Sequence, residues 1–240
     1  MRPVIGIGCA WSGETKLRDA HVRRFFHVDT RYQEAVYRHG GIPVLLPPPL
    51  EEDADLETYA AESLARVDAL YMPGGCGGGL PSPDGRSLSL YEQQPIRSRW
   101  EACLIRHAYE ADLPTTGACR GHQMITVALG GTLDDVQYPE HRQKVPDHAG
   151  IHTIYMQPDT RFAEIVGSEP WFVNSLHSQI VQEPPKGFLV SARTEDGKVE
   201  AIESTEKRFF MSTQFHPEMM LYDERAQRFL AAFLAAARGE

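Results

Sequence analysis

Four short apolar runs, Val4–Cys9, Ile42–Leu46, Ala69–Met72 and Thr115–Ala118, alternate with segments of helical period, and this alternation leaves few architectures open. Asp29–His39 reads as a helix closed by Gly40-Gly41, and Leu56–Val67 carries helical spacing. Pro95–Ala111 begins with proline in a first helical turn and repeats Ile96, Trp100, Leu104 and Ala108 at steps of four. An apolar helix follows from Gly121 to Leu129. Strand, helix, strand in this rhythm requires parallel strands with helices on both faces. The second half changes character. Ile151–Met156, Trp171–Asn174, Phe188–Ala192, Val199–Glu203 and Phe209–Gln214 are strand candidates, with a short helical piece at Arg161–Val166 and a final helix at Asp223–Arg238. That predicts antiparallel or mixed additions to the parallel sheet. No repeat or linker interrupts the chain, so residues 1–240 read as a single α/β domain with a central, mostly parallel sheet flanked by helices.

Charge excludes whole classes of partner. Lys plus Arg is 24 against 33 for Asp plus Glu, a net −9, so the basic footprint for nucleic acid or anionic membrane is missing. No apolar run approaches the roughly 18 residues of a membrane span. Cys9, Cys76, Cys103 and Cys119 stand far apart with no Cys-x-x-Cys, which suits reduced thiols and a cytoplasmic location.

Three local patterns carry chemistry. Gly117-Ala118-Cys119-Arg120-Gly121 sits between a strand and a helix, the Gly-x-nucleophile-x-Gly pattern of a strained turn that presents one side chain above a sheet edge. A cysteine at a helix N-terminus also gains thiolate character. Gln214-Phe215-His216-Pro217-Glu218 follows a strand; two residues apart, His216 and Glu218 point to one side of an extended segment. An imidazole can then serve Cys119 while the carboxylate orients it. Met72-Pro73-Gly74-Gly75 ends a strand, where adjacent glycines let backbone N–H groups approach an oxyanion, with the Arg120 N–H as second donor. The first two have plainer readings alone: a buried structural cysteine and a surface turn. A phosphate-binding reading of the glycines is weak, because no Gly-Lys-Ser/Thr follows and the spacing is not Gly-x-Gly-x-x-Gly.

Together the patterns resemble the class I glutamine amidotransferase superfamily, and within it the γ-glutamyl-γ-aminobutyrate hydrolase-like branch, peptidase family C26. The resemblance runs through Tyr32-Gln33-Glu34-Ala35-Val36, Gly40–Pro47, Met72–Gly75, Gly117–Gln123, Gly130–Leu133, Val173–Gln179 and Gln214–Glu218. It implies a flavodoxin-like fold with a nucleophile elbow. It implies Cys119 as nucleophile, His216 as base and acid, and Glu218 as orienter. Gly75 and Arg120 are then the oxyanion donors, and Gly74, Gln123, Ser175 and His177 the substrate-binding residues. The implied reaction is hydrolysis of a γ-glutamyl amide to glutamate and an amine through a thioester, with no cofactor. The rivals are a glutaminase subunit passing ammonia to a synthase, and a non-enzymatic binding relative. The expected partner is a small γ-glutamyl substrate, and a homodimer is allowed. Two departures stand out: Gly77 replaces an aspartate common in the branch, and Met124–Val127 replaces a polar stretch and reads as helix core.

Three further features are weighed against chemistry. Glu140-His141, Asp147-His148 and His152 suggest metal ligands, but His148 and His152 straddle Gly150 at a strand entrance, so the expectation is a histidine-bearing loop and no metal. Arg18, His21, Arg23, Arg24 and His27 read as a solvated segment, with a lid at the site mouth as the sharper alternative. Cys76 directly follows Gly75, so it is either a plain loop residue or a resolving thiol for an oxidised Cys119.

Overall fold

The computed structural model describes residues 1–16, 22–49, 54–75, 89–134 and 141–240, with residues 11–16 and 22–24 as backbone. The chain opens with β1 (Val4–Gly8), a hairpin of β2 (Ala10–Lys16) and β3 (Val22–His27), then α1 (Thr30–Arg38) and β4 (Ile42–Leu46). Next come α2 (Leu56–Leu64), β5 (Ala69–Met72), α3 (Leu90–Gln93), α4 (Pro95–Glu110), β6 (Thr115–Ala118) and α5 (Arg120–Ala128). The second half runs β7 (Thr132–Leu133), β8 (His152–Met156), α6 (Arg161–Val166), β9 (Trp171–Val173), β10 (Val181–Glu183), β11 (Phe188–Thr194), β12 (Val199–Ser204), β13 (Phe210–Thr213) and α7 (Glu224–Arg238).

Nine strands form one sheet in the order β4-β1-β5-β6-β13-β12-β11-β8-β9. The strands from β4 to β13 are parallel, and β12, β11, β8 and β9 each add antiparallel to the neighbour before. The α/β class and the mixed second half therefore agree with the sequence reading. Burial explains the split of the core. Along β5, Ala69 and Tyr71 face one cluster with Ile5, Ile7, Phe229 and Phe233, whereas Leu70 and Met72 face another with Trp100, Leu104 and Ile125. Every residue of β5 and β6 is buried, as strands covered on both faces must be.

Caps fix the helices that frame the sheet. The Asp29 side chain accepts from Arg31 N–H at the start of α1, and Asp223 accepts from Arg225 and Ala226 N–H at the start of α7. Gly239, at φ 80°, ends α7 in the left-handed region that glycine tolerates. The β2–β3 hairpin was not anticipated: neither Ala10–Lys16 nor Val22–His27 shows the apolar alternation from which strands are read. The small β7–β10 pair and the four-residue α3 were also missed, being too short for a periodic signal.

Candidate active site

Adjacent strand ends bring the three sequence patterns together. Met72 of β5 pairs with Gly117 of β6, and Ala118 of β6 pairs with Thr213 of β13. Pro73–Gly75, Cys119 and Gln214–Glu218 therefore leave the sheet side by side at its carboxyl edge, where sites on parallel sheets collect. Cys119 itself has φ 51° and ψ −107°, a strained conformation for a residue with a Cβ. It is held there by its N–H donating to Thr213 O at 2.9 Å and its carbonyl accepting from Gln123 N–H at 3.0 Å. The flanking glycines permit the turn by closeness. A Cβ on Gly121 would stand 2.0 Å from Met72 O, and one on Gly117 2.8 Å from the Gly121 carbonyl carbon.

His216 and Glu218 form the second part. His216 Nδ1 lies 2.6 Å from Glu218 Oε1, and both side chains are buried. Burial works to lower the imidazole pKa, but the charge of Glu218 and the thiol of Cys119 outweigh it and raise the pKa to about 10. The imidazole therefore holds a proton at neutral pH, facing the Cys119 sulfur and braced by the carboxylate. Further residues missed from the sequence fix this pair. Tyr71 Oη donates to Glu218 Oε2 at 3.4 Å, and Tyr32 Oη accepts the Gly74 N–H at 2.7 Å while lying 3.4 Å from His216 Nδ1. Burial, then the Glu218 charge, push both phenols well above their usual range, so they stay protonated. Asn174 clamps the His216 backbone, accepting from its N–H at 2.8 Å and donating to its carbonyl at 3.0 Å. Its place in Asn174-Ser175-Leu176-His177 was the available signal.

A buried ion network supports the glycine turn. Glu101 receives Arg97 Nε at 2.5 Å and Arg120 Nε at 3.2 Å, and neither Arg97 nor Glu101 is exposed at all. Arg97 Nη2 also donates to Pro73 O and Gly74 O, at 3.3 and 2.9 Å, and Arg120 Nη2 donates to Ser98 Oγ at 2.7 Å. The Arg120 side chain thus points into the scaffold. Its backbone N–H, as the first of α5, has no acceptor within the helix and stays available beside Cys119. Among the described residues nothing accepts from the Gly75 N–H. A buried Arg-x-x-x-Glu pair on an otherwise apolar helix face was the overlooked signal.

The residues expected to bind substrate have polar atoms in contact with other protein groups. Both polar backbone groups of Gly74 are taken, by Tyr32 and by Arg97, and its missing Cβ makes room for His216 Cε1. Gln123 Nε2 donates to Gln179 O at 2.8 Å and Gln214 Oε1 at 3.2 Å, and Ser175 Oγ donates to His141 O. His177 faces Glu200 instead, with Nε2 3.3 Å from Oε1. None of Gln123, Ser175 and His177 lines the cavity of about 90 Å³ beside His216, which is bounded by His27, Asp29, Tyr32, Gly74 and Gly75 among others. His27 lines that cavity; Arg18 and His21 lie outside the described residues, as do Cys76 and Gly77. His148 is exposed, whereas His141, His152 and His177 gather around Glu200.

A family model for Peptidase C26 matches residues 3–218. The chain belongs to that family. A protein named as a glutamine amidotransferase, Rv2859c of Mycobacterium tuberculosis, is 32% identical over 223 residues, covering 87% of this chain and 67% of that protein. Gamma-glutamyl-gamma-aminobutyrate hydrolase PuuD of Escherichia coli K12 is 29% identical over 199 residues, 78% of this chain and 77% of that one. The fold is shared with the glutaminase domain of Trypanosoma brucei CTPS with bound acivicin, at a TM-score of 0.65 and 20% identity over 100% of this chain and 95% of that one. As a C26 protein the chain is of hydrolase type, and among its described residues no helix is long and apolar enough to cross a membrane.

Proposed function

We propose that this C26 protein is a thiol hydrolase that cleaves a γ-glutamyl amide through Cys119, His216 and Glu218. The observation that carries the reading is the strained Cys119 at the strand–helix turn opposite an imidazole held 2.6 Å from a buried carboxylate. The Cys119 sulfur attacks the side-chain carbonyl of the glutamyl unit, and the oxyanion meets the N–H groups of Gly75 and Arg120. Such donors are worth about 10²–10³ in rate each. His216, already protonated, gives its proton to the departing amine, leaving a thioester on Cys119. Water then attacks the thioester while His216 takes its proton, and glutamate leaves. Glu218 keeps the imidazole in one tautomer and balances its charge.

The γ-glutamyl preference is supported by the sequence resemblance and by the name of the PuuD relative. The test is a panel of γ-glutamyl amides with linear carboxylate, polyamine and aromatic amines, assayed for glutamate release beside free glutamine. Turnover of one or more amides well above glutamine supports the reading. Preference for glutamine assigns the chain to the glutaminases, and no turnover of any of them refutes the hydrolase.

A further inference from the structure

Beyond the thiol site, a second cluster stands at the same edge of the sheet. Glu200, on β12, is fully buried, and its carbonyl accepts from the Gln214 N–H at 2.7 Å, so it neighbours the strand that leads to His216. Around its carboxylate stand His152 on β8, His177 just beyond β9, and His141. One ligand atom from each of His141, His152 and Glu200 fits within a span of 4.8 Å. His177 Nε2 lies 3.3 Å and His152 Nε2 3.6 Å from Glu200 Oε1. Neither nitrogen, and neither oxygen of the Glu200 carboxylate, makes a hydrogen bond.

That arrangement is costly without a cation. With both neighbouring imidazoles neutral the buried carboxylate has no donor, whereas buried charges are as a rule paired or metal-bound. The tautomer of His177 sharpens the point. Its Nδ1 lies 3.2 Å from Gln179 O, a carbonyl that can only accept, so Nδ1 carries the hydrogen. In the neutral ring Nε2 then turns its lone pair toward the carboxylate oxygen, acceptor against acceptor. A protonated ring would close a charge-assisted bond at about 2.7–2.9 Å with good alignment; the observed contact is longer and misaligned. A ring that donates its far N–H to a carbonyl while its near nitrogen faces a cation position is the usual metal-ligand arrangement.

The spacing fits. Imidazole nitrogen and carboxylate oxygen bind zinc at about 2.0–2.1 Å in a tetrahedron, which sets neighbouring ligand atoms ~3.3 Å apart. We infer that His141, His152 and Glu200, with His177 in the fourth position, form a binding site for a divalent late first-row metal of the zinc type. Imidazoles select such ions over calcium or magnesium, which take oxygen ligands. His141 and His152 also line an open cleft of about 630 Å³ with Asp196 at its edge, which supplies a route for the ion. Bound there, a metal ties β8 and β12 to the segment whose Asn174 clamps His216. The sequence reading, which expected no metal, weighed His148 with His152; the ligands instead come from four separated segments that only the fold assembles.

The probe is Zn²⁺ itself, titrated into chelator-stripped full-length protein carrying Cys119→Ala, so that the active-site thiol cannot compete. One zinc per chain is expected, with a melting temperature that rises on zinc addition and visible d–d bands when Co²⁺ replaces it. Glu200→Gln and His152→Ala should each weaken zinc binding by at least about 100-fold, given that loss of outer-shell partners alone costs 10–100-fold. His152 is the milder variant, being half-buried at the cleft. Its far-ultraviolet circular dichroism and stripped-state melt establish that it folds. Zinc binding equal in the parent and in a folded His152→Ala, or no stoichiometric zinc in the parent, overturns the site.

Discussion

Gly121→Ala is the substitution on which the packing account makes its sharpest forecast. Gly121 lies in the first turn of α5, where alanine is intrinsically better than glycine by about 1 kcal/mol. On propensity alone the variant should gain stability. Yet the added methyl would sit 2.0 Å from Met72 O and 2.7 Å from Met72 C, both backbone atoms. Real Cβ contacts essentially never fall below 3.0 Å, so α5 and β5 must part by at least 1 Å. Overpacking of this kind costs about 1–3 kcal/mol, and rigid backbone on the far side argues for the upper end. The net loss is then about 1–2 kcal/mol, a fall of roughly 2–8 °C in melting temperature for a chain this long. Catalysis should suffer more, because the displaced helix carries Cys119 away from His216. A 1 Å misplacement can cost about 10²-fold. Differential scanning fluorimetry and turnover of the best γ-glutamyl amide measure both. A variant as stable as the parent, with kcat within about twofold, would refute the claim that glycine closeness sets the elbow.

Other outcomes follow from the same geometry. Glu218→Gln should lower kcat by about 10⁴ and His216→Ala by about 10⁶, since the carboxylate only orients the group that moves protons; equal losses in two folded variants would mean another residue orients the imidazole. With His216 raised to about 10, the alkaline limb of kcat/KM should lie near pH 10; a limb at neutral pH sinks the imidazolium assignment. The raised pKa also makes a stabilising contribution that is full below about 6.5, the ordinary histidine value, and lost as pH rises through about 10, which thermal melts across that range will register. Glu101→Ala leaves the buried Arg97 and Arg120 without their shared partner and should cost about 3–5 kcal/mol in urea unfolding; a loss under 1 kcal/mol would show that the network does not brace the Pro73–Gly74 turn.

Much of the site was legible because its parts are local in sequence. The elbow needs small residues on either side of one nucleophile, and Gly117, Cys119 and Gly121 announce it within five positions. His216 and Glu218 sit two apart on an extended segment, so their alliance can be read without a fold. What escaped depends on contacts between distant segments. Tyr32 reaches Gly74 from α1, Asn174 reaches His216 from just beyond β9, and Arg97 reaches the Pro73 turn from α4; none of these pairs has a sequence spacing to betray it. The histidines misled for the same reason. His148 and His152 looked paired by number, whereas the partners of His152 are His141, His177 and Glu200, and the sheet register, not the spacing, selects them. The expected roles of Gln123 and Ser175 came from resemblance alone; in the structure Gln123 Nε2 donates to Gln179 and Gln214, and Ser175 Oγ to His141.

The central claim is that Cys119 is the thiol that attacks the glutamyl carbonyl. Two other described thiols provide an internal control: burial pushes Cys9 and Cys103 up to about 11, leaving them unreactive at neutral pH. The direct measurement is to incubate the protein at pH 7 with an electrophilic glutamine analogue and map the adduct by peptide mass spectrometry. One stoichiometric adduct on Cys119, formed in step with loss of turnover and slowed by a γ-glutamyl amide substrate, is the predicted result. Complete loss of turnover with Cys119 unmodified and the label on another residue would contradict it.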